Sequence, residues 1–142
     1  MQRMPALPRR TLLASALPLS WAGAAHGADR AADLRWITQA EHQRQRALGW
    51  GDQPYGAVLV LDGRLAGEGP SRVVQRHDPD AHAERVAIAD AQRRLGRADL
   101  AGATLYSTSR PCGLCEAAAA RAGIARMVWG ALAHDAGAPR RP

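Results

Sequence analysis

The chain has 142 residues, which suits one domain, because about 115 residues remain for a core once a predicted N-terminal leader is set aside. All 19 basic residues are arginines, so enzymes and nucleotide-binding loops that depend on a lysine are excluded. The formal net charge is +6, but three arginines lie in the leader and the remaining 16 face 13 acids. The resulting net charge of +3 is only a weak indication of nucleic-acid binding.

Residues 1–28 are predicted to be a targeting segment. Arg9 and Arg10 precede an apolar run over residues 11–25, and small residues follow it. Pro18 interrupts the run, which is short for a bilayer span, so cleavage and export are favoured over a permanent membrane anchor. The paired arginines resemble a twin-arginine signal, although such pairs also occur in ordinary basic leaders. We expect a periplasmic or secreted protein, and a cytoplasmic one if the leader is not functional.

A helix and a hairpin are the first predicted elements after the leader. The helix covers residues 31–48, which contain no proline or glycine. Its expected buried face carries Leu34, Ile37, Ala40, Ala47 and Leu48, and its expected outer face carries Arg35, Gln39, Gln43 and Arg46. A Val- and Leu-rich strand over residues 55–61, a tight turn at 62–63 and a second strand over 64–68 then form the hairpin.

The rest of the chain is predicted to alternate helices and strands. The order is a loop over 69–78, a helix over 81–95 ended by Gly96, a strand over 103–107, a helix from Pro111 to Gly123 and a strand over 124–129. The last thirteen residues are expected to be frayed. This order predicts an α/β fold with a sheet covered on both faces and two parallel strands joined by the third helix.

Two short motifs carry the chemistry. Cys112 and Cys115 are three residues apart at a predicted helix start, so their sulfurs share a face, and the positive helix end favours both as thiolates. The H-x-E motif of His82 and Glu84, followed by this P-C-x-x-C motif, resembles the signature of zinc deaminases. The resemblance implies that His82, from another helix start, joins the two cysteines as a zinc ligand and that the fourth position is left for water. Glu84 is near enough to move protons at that water without binding the metal.

Each motif alone has simpler interpretations. A C-x-x-C pair is more often a disulfide, a redox pair or half of a structural zinc site, and a His-x-Glu at a helix start is usually a solvated surface. A thiol-disulfide module would have no use for His82. The combination, in this order and at two helix starts, favours catalysis.

Four segments of the chain resemble one family. They are PYGAVLV at 54–60, GEGPSRVVQRHDPDAHAE at 67–84, DLAGATLYSTSRPCGLC at 99–115 and GIARMVWGA at 123–131. They are similar to the bacterial guanine, nucleoside and tRNA adenosine deaminases of the zinc-dependent cytidine and deoxycytidylate deaminase superfamily, whose H-x-E and P-C-x-x-C signature they contain. The resemblance implies a three-layer α/β/α cytidine deaminase-like fold with a mixed sheet and shortened C-terminal elements.

The resemblance also implies a function and a partner. Residues 29–142 are expected to be one zinc-dependent deaminase domain that holds Zn²⁺ on His82, Cys112 and Cys115 and moves protons with Glu84. Its expected reaction is hydrolytic deamination of a purine base or nucleoside, with a guanine-type base preferred, and it is expected to be a homodimer. Adenosine deamination in tRNA is the alternative, which an exported protein makes less favourable, and a non-catalytic zinc-binding relative is a third.

Three substrate contacts are predicted at lower weight. Ser71 stands where the family commonly has an asparagine that hydrogen-bonds the base, and serine offers only one shorter hydroxyl. Tyr55 could stack on a base or fill the core at a strand start. His77 is a loop histidine near the substrate or a polar surface residue. Two further departures are Asp80, where the family usually has threonine, and Arg110, which replaces an acid before the Pro-Cys pair.

Overall fold

The computed structural model describes the backbone of residues 22–142 and the side chains of residues 29–142. Most of the predicted leader, and with it the paired arginines, lies outside the described residues; its last seven residues form the beginning of α1. The elements are α1 (Ala22–Gly49), β1 (Gly56–Leu61), β2 (Arg64–Pro70), α2 (Val73–Arg76), α3 (Ala83–Leu95), β3 (Thr104–Ser107), α4 (Gly113–Arg121), β4 (Arg126–Trp129) and β5 (His134–Gly137). Within this part of the chain, no helix is both long enough and apolar enough to cross a membrane.

The strands form one mixed sheet in the order β2-β1-β3-β4-β5. β1 is antiparallel to both β2 and β3, and β3 is parallel to β4, so the predicted hairpin and parallel pair are confirmed. The expectation of a frayed C-terminus was wrong, because β5 pairs with β4 in the antiparallel sense. Arg140, beyond β5, also donates its backbone N–H and its guanidinium to Glu116 of α4.

Helices cover both faces of the sheet, as the resemblance implied. Along β1, Val58 and Val60 face α1, whereas Ala57 and Leu59 face the other way, because successive strand side chains point to opposite faces. On the first face lie Ile37, Ala40, Tyr106 and Val128. On the second lie Ala83, Ala87, Ile88, Ala119 and Met127 from α3, α4 and β4. The three-layer α/β/α fold is therefore confirmed.

The buried face of α1 differs from the predicted one. Leu34 and Leu48 are 38% and 42% exposed, whereas Gln43, which was expected to face solvent, is only 4% exposed. Its side-chain amide donates to the carboxylate of Glu68 on β2 at 2.7 Å. The buried positions 33, 37, 40, 43 and 47 follow a spacing of three and four, which keeps one face of a helix against the sheet.

The region predicted as a loop over 69–78 is partly ordered. β2 continues to Pro70, and α2 occupies Val73–Arg76. Gly69 of β2 lies directly under the start of α3, where an added Cβ would be 2.0 Å from the carbonyl oxygen of Ala83. Gly67 makes a similar approach to Ala87 at 2.3 Å. These two glycines let α3 lie close against the edge strand, and this contact sets the position of the helix start that carries the functional site.

Candidate active site

His82 is the N-cap residue of α3. Its backbone is extended, with φ −61° and ψ 151°, so the chain enters the helix immediately after it. The next two residues, Ala83 and Glu84, are in the first turn and are buried. The start of a 13-residue helix therefore positions an imidazole and a carboxylate two residues apart, as the sequence predicted.

Cys112 is the N-cap residue of α4, and Cys115 lies in the first turn of the same helix. The sulfur of Cys112 accepts a hydrogen bond from the backbone N–H of Cys115 at 3.4 Å. The two sulfurs are 3.3 Å apart, so the spacing of three residues places them on one face, as predicted. The N-terminus of α4 therefore presents both sulfurs on one side as possible metal ligands.

The three predicted metal ligands converge. The Nδ1 atom of His82 lies 3.4 Å from the sulfur of Cys115 and 3.6 Å from that of Cys112. Tetrahedral zinc with sulfur at about 2.3 Å and nitrogen at about 2.0–2.1 Å separates its ligand atoms by roughly 3.5–3.8 Å. The two Nδ1–sulfur distances are close to this range, whereas the sulfur–sulfur distance of 3.3 Å is shorter. The chemistry of the three donors fits zinc, and binding it requires the two sulfurs to move slightly apart.

Glu84 is 6% exposed and lies beside the three donors. Burial raises the pKa of its carboxyl, while its own backbone N–H, Cys115 and His82 act in the opposite direction. Burial also raises the pKa of the Cys115 thiol, and the neighbouring Glu84 carboxylate raises it further. A cation among these groups would favour their charged forms, which is a second reason why the donor set fits a metal.

A cavity of about 500 Å³ opens onto this cluster. Its volume is within the range of small-molecule sites. The side chains that line it come from three parts of the chain: the loop before β1, the start of α3 and the segment before α4. They are Gln53, Tyr55, His82, Ala83, Glu84, Ser109, Arg110 and Cys112. Tyr55 is thus in the predicted place, whereas Gln53 and Ser109 were not predicted from the sequence.

Ser71 and His77 do not line this cavity. Ser71 is fully buried, and its hydroxyl donates to Asp52 at 2.8 Å. His77 is exposed and ends α2 in the left-handed conformation, with φ 51°. The structure therefore does not bring these two predicted substrate contacts to the site, because one hydroxyl is already bonded inside the protein and the histidine faces solvent.

Asp52 holds the loop that carries Gln53 and Tyr55. Its carboxylate accepts from Ser71 and from the backbone N–H groups of Gln53 and Gln75, each at 2.8 Å. Burial acts to raise the pKa of Asp52, but these hydrogen bonds outweigh burial and lower the pKa below the ordinary range. The ionised carboxylate is thus a fixed anchor, and the edge of the cavity is fixed with it.

A larger hollow of about 670 Å³ lies along α1 on the other face of the sheet. Some of its polar groups are bonded to one another: the Arg126 guanidinium donates to Asp33 and Asp135, and the Tyr106 hydroxyl donates to Asp33. Among the described residues that line this hollow, no cysteine or histidine supplies a soft metal ligand. The cavity beside His82 is therefore the candidate active site.

Comparisons with known proteins agree with this fold and donor set, which define a zinc-binding domain of the deaminase type. The family model for the cytidine and deoxycytidylate deaminase zinc-binding region matches residues 30–131, which include all three donors and Glu84. The chain belongs to this family, and the predicted superfamily is confirmed.

The most similar relatives include tRNA-specific adenosine deaminases. That of Agrobacterium fabrum is 44% identical over 94 residues, 66% of this chain and 62% of the relative. That of Aquifex aeolicus is 37% identical over 97 residues, 68% and 64% of the two chains. The chain thus spans less than two thirds of the length of these curated relatives.

Solved structures with the same fold include two groups of enzymes. One, from a study of A-to-I editing by tRNA:A34 deaminases, has a TM-score of 0.65 and 38% identity, covering 68% of this chain and 70% of the other. Guanine deaminase from Bacillus subtilis has a TM-score of 0.65 and 33% identity, covering 68% and 62%. These similarities confirm the cytidine deaminase-like fold and connect the chain to deaminases of adenosine and of guanine.

Proposed function

We propose that the protein is a zinc-dependent hydrolytic deaminase of a purine, and that the purine is adenosine in RNA of the kind on which the tRNA-specific relatives act. The observation that carries the proposal is the convergence of His82, Cys112 and Cys115 with buried Glu84 on one cavity. The higher identity to tRNA-specific deaminases favours adenosine over the guanine-type base that the sequence alone suggested.

The residues of the site divide the work between binding and proton transfer. His82, Cys112 and Cys115 would hold zinc, which when bound lowers the pKa of water and supplies a nucleophile near neutral pH. Glu84 accepts a proton from the attacking water and delivers it to the ring nitrogen. It then takes the second proton from the same oxygen and gives it to the departing amine. The water oxygen stays on the ring carbon, the carbon–nitrogen bond breaks, and ammonia leaves.

The open side of the cavity is where a substrate is recognised. Tyr55 is 42% exposed at its edge and offers a ring face, while Gln53 and Ser109 offer a carboxamide and a hydroxyl. Arg110 adds a positive charge at the mouth, directly before the Pro-Cys pair. An aromatic face with neutral hydrogen-bonding groups suits a heterocyclic base, and a guanidinium suits the phosphate that accompanies it in RNA.

The test is ammonia release by the zinc-loaded chain from an anticodon stem-loop RNA, adenosine, adenine and guanine. Glu84→Gln is the matched variant, because it keeps the shape of the side chain and removes its proton transfer. We expect inosine in the RNA with wild-type protein, and turnover reduced by roughly 10²–10⁴-fold in the variant with zinc still at one equivalent.

The other outcomes distinguish the alternatives. Ammonia release from guanine rather than from RNA would establish the guanine-type reaction. The similarity to guanine deaminase from Bacillus subtilis supports that alternative. One equivalent of zinc without release from any substrate would contradict catalysis and leave a non-catalytic zinc-binding relative. A Cys112–Cys115 disulfide without zinc would favour the thiol-disulfide module. The predicted homodimer stays a prediction, which sedimentation equilibrium would test.

A further inference from the structure

Five arginines surround a second, smaller hollow outside the active site. They are Arg46 of α1, Arg72 and Arg76 at α2, and Arg93 and Arg94 of α3. This arginine hollow has a volume of about 220 Å³ and also includes Glu68 and Asp90. No residue of its lining belongs to the lining of the active-site cavity.

The arginine hollow is strongly positive. Five guanidinium groups face two carboxylates, and the excess of three charges is half of the formal net charge of the whole chain. A hollow this size is smaller than the roughly 300–1,000 Å³ of a site for a complete small molecule, and it holds the volume of about seven water molecules. It therefore suits one charged group of a larger ligand.

Both carboxylates are already paired. Glu68 accepts from Arg94 at 2.9 Å and from Arg46 at 3.3 Å, and Asp90 accepts from Arg93 and from Arg94. Glu68 also accepts from Gln43, and its backbone N–H donates to Asp90. The three arginines on α1 and α3 thus have internal partners that hold the wall of the hollow in shape.

Arg72 and Arg76 have no carboxylate within ion-pair distance among the described residues. The guanidinium of Arg72 donates to Gln75 and lies 4.6 Å from the ring centre of Trp50, which Arg46 also approaches at 5.4 Å. Partial burial lowers the pKa of Arg72, the charges of Arg76 and Arg46 lower it further, and the carboxylates of Asp52 and Asp90 oppose this shift without cancelling it. Like charges are therefore held close together by packing, although they repel.

A multivalent anion would relieve this repulsion. Planar guanidinium forks match phosphate oxygens in bidentate geometry, and several of them converge here from three elements of the fold. Trp50 is 40% exposed beside them, and the guanidinium groups of Arg72 and Arg46 lie over its ring. Arginines that combine phosphate contacts with an adjacent aromatic ring are a feature of single-stranded nucleic-acid sites.

The position of Trp50 connects the arginine hollow to the active site. The loop from Trp50 to Tyr55 carries Gln53 and Tyr55 to the cavity, and five residues span at most about 18 Å. We propose that the arginine hollow binds backbone phosphates of a single-stranded RNA whose target base occupies the cavity. This inference rests on the proposed function for the identity of the base, and its binding step can be tested without catalysis.

The experiment measures the anisotropy of a fluorescent single-stranded RNA in the zinc-loaded Glu84→Gln background, where turnover is reduced by roughly 10²–10⁴-fold. The test variant adds Arg72→Gln and Arg76→Gln. The matched control adds Arg64→Gln and Arg97→Gln, which removes the same charge at exposed positions outside the hollow. We expect the test variant to bind roughly ten-fold or more weakly, since two charge-assisted contacts are lost, and the control to bind like its parent.

The salt dependence identifies the contact. Loss of two phosphate contacts makes the negative slope of log K for RNA binding against log salt shallower by about 1.4 for a single strand. The control variant should keep the slope of its parent. Equal losses in both double variants would overturn the proposal, because they would report only net charge. No RNA binding by the parent would also overturn it, whatever the outcome of the deamination assay.

Free phosphate is the other source of the same chemistry. Inorganic phosphate and adenosine monophosphate are titrated in parallel, with thermal unfolding as the readout. The Arg72→Gln, Arg76→Gln variant could lose the stabilisation by phosphate or adenosine monophosphate and still bind RNA like its parent. That result would assign the hollow to free phosphate and overturn the RNA assignment. We expect the opposite: RNA affinity depends on these arginines, and the mononucleotide competes only weakly.

Discussion

At the scale of single residues, Gln53 lines the cavity, whereas Ser71, the predicted substrate contact, does not. The hydroxyl of Ser71 is bonded to Asp52 inside the protein, so it has no free donor for a substrate. The backbone of Gln53 is fixed at both ends, since its N–H donates to Asp52 and its carbonyl accepts from Tyr55, each at 2.8 Å. Its carboxamide lines the cavity and can both donate and accept.

We therefore predict that Gln53→Ala raises KM roughly 5- to 10-fold with little change in kcat, because a hydrogen bond to the bound base is lost. Ser71→Ala is the matched comparison. It should leave KM unchanged and lower the free energy of unfolding by about 1–3 kcal/mol, since Asp52 loses a buried donor. Steady-state kinetics and urea unfolding of both variants check this. An increase in KM for Ser71→Ala alone would contradict the assignment.

The metal donors could be predicted from the sequence, whereas the substrate-facing residues could not. Helix starts are signalled locally, so spacing placed Cys112 beside Cys115. His82 was joined to them by the H-x-E and P-C-x-x-C signature of the deaminases that the chain resembles. Which of Ser71 and Gln53 reaches the cavity depends on Asp52, which is 19 residues from Ser71 in sequence. The closeness of Gln53 to Tyr55 was the one local signal that could have pointed to it.

At the scale of elements, the position of the site depends on the close contact between β2 and α3. The Cα of Gly69 lies under the first turn of α3, and a methyl group there would be 2.0 Å from the carbonyl oxygen of Ala83 and 2.5 Å from the N–H of Ala87. Both contacts are with backbone, which cannot move aside as a flexible side chain can. Any relief would shift the helix start that carries His82 and Glu84.

We predict that Gly69→Ala lowers the free energy of unfolding by about 3 kcal/mol, because the added methyl group overlaps the backbone of α3. It should also weaken zinc binding, because relief of this overlap shifts His82. Urea unfolding and competition with a chelator measure the two effects. Gly49→Ala is the control, since nothing lies within 4 Å of its added Cβ and it ends a helix in open space. Wild-type zinc affinity in a stable Gly69→Ala protein would show that β2 does not position the site.

The order of the larger elements could be predicted because hydrophobic patterning and the glycines that end helices are local. β5 was missed because its residues are all exposed and carry no strand pattern; pairing with β4 holds it in place. Gln43 was placed on the wrong face of α1 because its burial depends on Glu68, a partner on another element. These errors come from contacts between distant residues rather than from local propensity.

At the scale of the whole molecule, the predicted leader and the comparisons favour different substrates. The tRNA-specific relatives favour an RNA substrate, which a protein in the cytoplasm would meet. An exported protein would meet free purines and nucleosides instead. Residues 1–28 therefore bear on the reaction even though most of them lie outside the described structure, and α1 continues back into their last seven positions.

The interpretation of residues 1–28 as an export signal, which opposes the proposed RNA substrate, predicts that they export a fused reporter that functions only outside the cytoplasm of a Gram-negative host. The double substitution Arg9→Lys, Arg10→Lys keeps the positive charge of the leader. The reporter should therefore stay in the cytoplasm only if the twin-arginine pathway recognises the leader. Export of both versions would indicate an ordinary basic leader. Retention of both reporters in the cytoplasm would contradict the prediction of an export signal and would leave the protein in the compartment that contains tRNA. Export of the full chain, seen by fractionation and a shortened product, would favour guanine-type deamination over the RNA substrate.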